Sequence, residues 1–192
     1  MADAMTGPSG LLACDDSVLV IVDMQSRLLD AMPASSAQTM LDNTGKLLVA
    51  AGLLKLSVFM TEQYPKGLGP TADAILKLLP ENAQRFEKTA FSCCGSEAFN
   101  EALLATGRRQ VILVGQETHV CVLQTAFDLH NQGFDVHVVE DAVCSRQDSH
   151  KNNALLRLRQ AGITVTNYES VLFECLRDAR HNDFKAISAL LR

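Results

Sequence analysis

The sequence lacks the features that mark a membrane protein or a nucleic-acid-binding protein. No apolar run approaches the roughly 20 residues that a helix needs to span a bilayer, and residues 1–16 contain no basic region followed by an apolar segment. The 17 basic and 22 acidic residues give a net charge of -5 and form no basic stripe. We therefore expect a cytoplasmic protein with a small-molecule ligand and with neither nucleic acid nor membrane as a partner.

The cysteines and histidines also lack the spacing of a metal site. No C-x-x-C pair and no H-E-x-x-H segment occurs, and adjacent cysteines such as Cys93 and Cys94 rarely form a disulfide within strain limits. In a reducing compartment the thiols are expected to be free. The six cysteines are Cys14, Cys93, Cys94, Cys121, Cys144 and Cys175.

Apolar strands and helical segments alternate along the chain, without a long linker or an internal repeat. This alternation predicts an α/β fold around a mostly parallel sheet, with residues 1–16 as an N-terminal extension and residues 17–192 as a single domain. Strands are predicted at residues 18–22, 56–60, 85–87, 111–114, 136–139 and 164–166, and helices at 37–51, 71–79, 96–106, 120–132, 149–161 and 183–191.

The segment from Val111 to Cys121 is the most informative in the chain. It combines four apolar residues, a loop that begins at Gly115, and a cysteine at the predicted start of a helix. Free N–H groups and the helix dipole at such a position predict that the pKa of the thiol falls and that its thiolate population rises. The alternative is that Cys121 is only a small apolar residue at a strand-helix junction.

Two charged residues follow other predicted strands. Asp23 comes directly after five apolar residues, where a carboxylate is costly to bury without a partner or a task, although a helix cap is the ordinary role for such an Asp. Lys88 lies between Phe86 and Phe91, which favours a sheltered site over a solvated surface charge. Parallel strands bring their carboxyl ends to one edge. The three residues would supply a base, a cation and a nucleophile.

These segments resemble the isochorismatase-like cysteine hydrolase family, in the subgroup of isochorismatase domain-containing proteins. The resemblance runs from about Ser17 to the C-terminus. It rests on the order of four segments: Val22-Asp23-Met24-Gln25, Thr61-Glu62-Gln63-Tyr64-Pro65-Lys66-Gly67-Leu68-Gly69, Glu87-Lys88-Thr89-Ala90-Phe91-Ser92 and Gly115-Gln116-Glu117-Thr118-His119-Val120-Cys121.

The resemblance implies a Rossmann-like, three-layer α/β/α fold with a mainly parallel six-stranded sheet in the order 3-2-1-4-5-6, assembled as a homo-oligomer. It implies a cis peptide bond at Gln116–Glu117 and a catalytic triad of Asp23, Lys88 and Cys121. Backbone N–H groups of Glu117 and Cys121 would form the oxyanion hole. The implied reaction is hydrolysis of the C–N bond of a small amide through a thioester, without a cofactor.

Nicotinamidases of this family bind a metal through D-x-H after the second strand, whereas this chain has Thr61-Glu62-Gln63-Tyr64-Pro65 there. We therefore expect no catalytic metal. Two functional alternatives stay open, namely a binding or scaffold protein that keeps the fold, redox-sensitive or not, and a vinyl ether hydrolase. The residues predicted to line the substrate pocket are Leu28, Tyr64, Phe91 and His119.

Overall fold

A computed structural model describes residues 10–191. Six parallel strands form one sheet in the order β3-β2-β1-β4-β5-β6, which confirms the predicted fold class and strand order. The central strand is buried along its whole length, because helices cover both faces of the sheet. The strands are β1 Ser17–Val22, β2 Ser57–Gln63, β3 Gln84–Lys88, β4 Gln110–Gln116, β5 Asp135–Cys144 and β6 Thr164–Thr166.

The helices form a layer on each side of the sheet. One apolar core joins the sheet to α2, α8 and α9, and a second joins it to α5, α6 and α7. The α-helices are α1 Ser26–Leu29, α2 Ala34–Leu54, α3 Pro65–Leu68, α4 Asp73–Leu76, α5 Glu97–Ala105, α6 Leu123–Asn131, α7 Asp148–Gln160, α8 Tyr168–Leu176 and α9 Phe184–Ser188. Within residues 10–191, none of these helices has the length and apolar character that a membrane span requires.

The strand register places three segments at one edge of the sheet. Val22, the last residue of β1, pairs with Thr61 of β2 on one side and with Gly115 of β4 on the other. Gly115 has a φ of 118°, and a Cβ atom built on it would lie 2.1 Å from the Val22 carbonyl oxygen. Only glycine allows this close approach. The residue that follows Val22 is therefore held between β2 and β4.

Several predicted helices have different bounds in the structure. The helix predicted at 71–79 is reduced to α4, because Thr71 forms a bridge with Gln25 and donates its N–H to Glu62. The helix predicted at 183–191 is α9 followed by a 3₁₀ turn at Ala189–Leu191. Helix α8 was not predicted, although Asn167 caps it by accepting a hydrogen bond from the Ser170 N–H.

The described part of the predicted N-terminal extension packs against the domain. Leu12 is fully buried and joins the apolar core that contains α2 and α8. A 3₁₀ turn, Cys14–Asp16, then leads directly into β1. Residues 10–16 thus contribute to the core of the domain, and residues 1–9 of the predicted extension lie outside the described residues.

Candidate active site

A buried ion pair occupies the carboxyl edge of the sheet. The Lys88 Nζ atom lies 2.6 Å from Asp23 Oδ2, and both side chains are almost wholly excluded from solvent. The ammonium also donates to Gln63 Oε1 at 2.7 Å and to the carbonyl oxygens of Ala90 and Phe91 at 3.2 and 2.9 Å. Four acceptors therefore compensate the buried ammonium for its lost hydration.

The sequence did not single out the residues of β2 that hold this pair. Thr61 is fully buried and donates its hydroxyl proton to Asp23 Oδ1 at 2.8 Å. Gln63 accepts from Lys88, and its own N–H donates to the Gln25 side chain at 2.7 Å. The available signal was a polar residue at the end of an otherwise apolar strand, the same signal that marked Asp23.

Cys121 lies in a π-helical turn, Thr118–Val122, that links the end of β4 to α6. The Asp23 carboxylate and the Lys88 ammonium are the two charges that most affect its thiol. At the start of the turn, the N–H groups of Val120 and Val122 donate to the Glu117 carbonyl oxygen at 3.0 and 3.3 Å. The structure thus brings Asp23, Lys88 and Cys121 together, with the carboxylate 2.6 Å from the ammonium and beside the thiol.

The electrostatic environment of Cys121 is opposite to the sequence-based prediction. Burial raises the pKa of the thiol well above its usual range, the negative charge of Asp23 raises it further, and the Lys88 ammonium only partly offsets these effects. The prediction of a lowered pKa was wrong for two reasons. Cys121 is only 6% exposed, and the nearby Asp23 carboxylate places a negative charge beside the thiol.

The loop before Cys121 connects β4 to a polar cluster. The Gln116–Glu117 peptide bond is cis, at the position that the family resemblance implied. The carboxylate of Glu117 accepts a hydrogen bond from Arg146 Nε at 3.1 Å. His119 Nδ1 lies 3.0 Å from Ser145 Oγ, and desolvation lowers the pKa of His119. Glu117 and His119 therefore contact the segment that follows β5.

Two of the other predicted pocket residues, Tyr64 and Phe91, lie beside Lys88. Tyr64 and Phe91 are each 55% exposed, which is unusual for large aromatic side chains, and the Phe91 carbonyl accepts from Lys88. Leu28 is half-buried in α1. Tyr64 and Lys88 line a cleft of about 390 Å³. Cys121 does not line this cleft, so the cleft alone does not define a substrate pocket.

Within residues 10–191, no group of three or more histidine, cysteine or acidic side chains has the arrangement of a metal site. At the position where nicotinamidases would carry metal ligands, Glu62 is instead engaged by the structure itself. Its Oε1 atom accepts from the Thr71 N–H at 2.7 Å, and its Oε2 atom lies 2.5 Å from Arg85 Nη2.

Comparison with known proteins agrees with this arrangement. Residues 17–170 match the isochorismatase domain family. The chain belongs to this family. A curated relative, isochorismatase domain-containing protein 2 from Danio rerio, is 39% identical over 183 residues, which is 95% of this chain and 90% of the relative. The membership confirms the resemblance inferred from the sequence and supports a hydrolase.

Solved structures of the isochorismatase fold are similar over nearly the whole chain. MAR1 ribonuclease from Caenorhabditis elegans is 35% identical with a TM-score of 0.89, covering 94% of this chain and 92% of its own. YcaC from Pseudomonas aeruginosa, with hexane-2,5-diol and covalent acrylamide, is 28% identical with a TM-score of 0.89, covering 97% and 92%. YcaC from Escherichia coli, described as an octameric hydrolase of unknown specificity, is 28% identical with a TM-score of 0.86, covering 97% and 91%.

Proposed function

We propose that this protein is a cysteine hydrolase that cleaves the C–N bond of a small amide, with Asp23, Lys88 and Cys121 as its catalytic triad. One observation carries the proposal. A single buried carboxylate lies beside both a buried ammonium and a thiol. A protein that only binds has no need of this arrangement. Burying each of the two charges costs roughly several kcal/mol of desolvation free energy, which their mutual attraction must offset.

Asp23 is the general base. In the resting site its carboxylate lies beside the Cys121 thiol, so the proton has a short path from sulfur to oxygen. The raised pKa of the thiol keeps it protonated at rest, and the thiolate forms only as it attacks the carbonyl carbon of the amide. Lys88 holds the carboxylate in place through its 2.6 Å contact with Oδ2 and stabilises the negative charge on sulfur.

Backbone N–H groups stabilise the tetrahedral intermediate. The N–H of Cys121, in the π-helical turn, and the N–H of Glu117, just before that turn, receive the negative oxygen. Asp23 then gives its proton to the leaving nitrogen, and the C–N bond breaks to release an amine or ammonia. Water, deprotonated by Asp23, hydrolyses the thioester to a carboxylic acid and restores the thiol. The sum is amide plus water to carboxylic acid plus amine.

The covalent acrylamide described for YcaC supports a nucleophile in this part of the family. Acrylamide is an electrophile that thiolates attack, and it is itself a small primary amide. We propose that the four predicted substrate-lining residues line the pocket in which this reaction takes place. Tyr64 and Phe91 offer exposed aromatic faces on the Lys88 side, whereas His119 lies in the same turn as Cys121, and Leu28 lies one turn beyond Asp23.

We also propose that the protein works as a homo-oligomer in the cytoplasm, without a metal or cofactor. The octameric assembly described for YcaC from Escherichia coli supports the proposal of a homo-oligomer. The 55% exposure of Tyr64 and of Phe91 in the single chain is the feature that a neighbouring subunit would change.

The test is a screen of primary amides and carbamoyl compounds for released ammonia, followed by the Cys121→Ser variant. We expect kcat to fall by at least about 10⁴-fold, because serine is far less nucleophilic at this position. The matched control is Cys144→Ser, since Cys144 is also buried but donates to Gln116 rather than to Asp23. Undiminished turnover in Cys121→Ala, which has no nucleophilic side chain at this position, would eliminate covalent catalysis by Cys121.

The same variants separate the other functions. Because the Caenorhabditis elegans relative is described as a ribonuclease, the panel includes RNA, and because isochorismatases cleave a vinyl ether, it includes an enol ether. Cleavage of either substrate that is independent of Cys121 would replace the amidase assignment. The absence of turnover on every member of the panel would favour the scaffold alternative.

A further inference from the structure

Two cysteines that the proposed reaction does not use lie side by side at the opposite edge of the sheet. Cys14 belongs to the 3₁₀ turn before β1, and Cys175 lies near the end of α8. Both cysteines are free, and each thiol is the neighbour that most affects the pKa of the other. The Cys14 thiol donates to the Leu54 carbonyl oxygen at 3.9 Å. The two cysteines pack against the same apolar core, in which Cys14 is partly buried and Cys175 is 9% exposed. Two segments from opposite ends of the chain thus each place a free thiol at the same part of the core.

The backbone around the pair is fixed by contacts between the same two segments. The N–H of Leu12 donates to Glu174 Oε2 at 2.8 Å, and Arg177 donates to the Leu12 carbonyl oxygen. The Leu12 side chain is fully buried. These contacts lie directly beside each cysteine in sequence, so the two thiols stay close without a covalent bond between them.

The two thiols are not equivalent. The neighbouring Cys175 thiol lowers the pKa of Cys14, and the Arg108 guanidinium does so to a smaller extent, whereas burial and the Asp15 carboxylate raise it. The neighbouring Cys14 thiol and burial raise the pKa of Cys175. Exposure also distinguishes the two cysteines, because Cys14 is partly exposed and Cys175 is sheltered. This combination is typical of a redox-sensitive cysteine and its resolving partner.

We propose that Cys14 and Cys175 are a site of oxidative modification, which hydroperoxides convert into a disulfide that joins the N-terminal segment to α8. The Cys14 thiolate attacks one oxygen of hydrogen peroxide, the O–O bond breaks, and sulfenic acid and hydroxide form. The hydroxide takes up the proton that the Cys14 thiol had released and leaves as water. The Cys175 sulfur then attacks the Cys14 sulfur, the S–O bond breaks, and a second water leaves with the Cys175 proton. Two thiols are oxidised by two electrons, and one peroxide is reduced to two waters.

The cross-link would close a loop that includes nearly the whole domain, from residue 14 to residue 175. Closing a loop of this length restricts the unfolded chain strongly. We expect the midpoint of thermal unfolding to rise by about 5 to 15 °C on oxidation, from the usual effect of a disulfide on a domain of this size. The proposal is independent of the amidase assignment, because neither cysteine belongs to the proposed triad.

The test is peptide mapping of the full chain after treatment with hydrogen peroxide under non-reducing conditions. Trypsin places Cys14 in the peptide of residues 1–27 and Cys175 in the peptide of residues 160–177, each without another cysteine. We expect these two peptides to be joined, with the mass of their sum less two hydrogen atoms, and to separate after reduction. The unfolding midpoint should rise with the yield of the joined peptide.

Three variants control the measurement. Cys14→Ser and Cys175→Ser should each abolish the joined peptide and the thermal shift. Cys94→Ser should retain both, since Cys94 is also partly buried but lies in another part of the molecule, and burial raises the pKa of its thiol to about 11. Overoxidised Cys14 that stays unlinked, or cross-links of Cys14 to other cysteines in comparable yield, would overturn the proposal.

Discussion

The two edges of the sheet place a cysteine in opposite electrostatic environments. At the carboxyl edge, burial and the neighbouring Asp23 carboxylate raise the pKa of Cys121. At the amino edge, Cys14 is partly buried, and the neighbouring Cys175 thiol and the Arg108 guanidinium lower its pKa. Strand β1 connects the two regions, since Cys14 lies just before it and Asp23 directly after it.

The comparison separates reactivity at rest from reactivity in a catalytic cycle. A lowered pKa makes a thiol available to any electrophile or oxidant, which suits Cys14 as a site of modification. A raised pKa with a base in contact protects the thiol until a substrate carbonyl arrives, which suits Cys121 as the proposed nucleophile. A resting thiolate is therefore not the feature that distinguishes the candidate nucleophile in this protein.

The largest expected effect is the loss of turnover in Asp23→Asn. The side-chain amide of asparagine cannot take the thiol proton from Cys121. We therefore expect kcat on any substrate found to fall by about 10²- to 10⁴-fold, the usual contribution of a general base. Steady-state kinetics of Asp23→Asn and of Cys14→Ser are measured side by side. The Cys14→Ser variant, at the amino edge, should retain full activity. An equal loss of kcat in Asp23→Asn and Cys14→Ser would show that catalysis does not depend on the carboxyl edge alone.

The next effect is on stability. Lys88→Met leaves the Asp23 carboxylate buried without its cation, and we expect the free energy of unfolding to fall by about 3 to 5 kcal/mol. Chemical denaturation of the wild type, both single variants and the Asp23→Asn/Lys88→Met double variant measures the coupling. The double variant should recover much of the loss because it leaves no unpaired charge. If the loss in the double variant equals the sum of the losses in the two single variants, the ion pair is not coupled as the distances indicate.

A smaller effect concerns the order of alkylation in the wild type. Near neutral pH, iodoacetamide should modify Cys14 before Cys121, with about a tenfold rate advantage for each unit by which their pKa values differ. As the pH rises through the lowered pKa of Cys14, its rate reaches a plateau, whereas the rate of Cys121 continues to rise. Tandem mass spectrometry of the peptides of residues 1–27 and 110–146 gives both rates, because fragment ions distinguish Cys121 from Cys144 in the second peptide. Faster modification of Cys121 would reverse the comparison.

The sequence predicted the fold from its apolar strands, and it predicted Asp23 and the loop to Cys121 from where two of those strands end, since parallel topology brings strand ends together. Lys88 ends a largely exposed strand and was predicted from its position between Phe86 and Phe91. Thr61 and Gln63 follow the strand predicted at 56–60, but this position does not show which group each side chain will contact. The direction of the Cys121 pKa was wrong because it depends on burial and on a charge from another strand.

Element bounds show the same limit. Helix α8 begins after Asn167, whose side chain caps it, so the sequence carries a signal for the start of this helix. The short α4 was not predictable in the same way, because the contact of Thr71 with Glu62 joins residues of a loop and of β2. Likewise, the Cys14 and Cys175 thiols meet only in the folded chain, since 161 positions separate them in the sequence and neither spacing nor composition relates them.

The most direct test of the proposed role of Asp23 is the pH dependence of Cys121 alkylation in wild type and in Asp23→Asn. The carboxylate raises the pKa of the thiol through its charge, whereas Lys88 lowers it. Removing the negative charge while keeping the cation should therefore shift the alkylation midpoint toward neutral pH, even as turnover is lost. A midpoint that stays unchanged or moves to higher pH would contradict the proximity of Asp23 to Cys121 on which the mechanism depends.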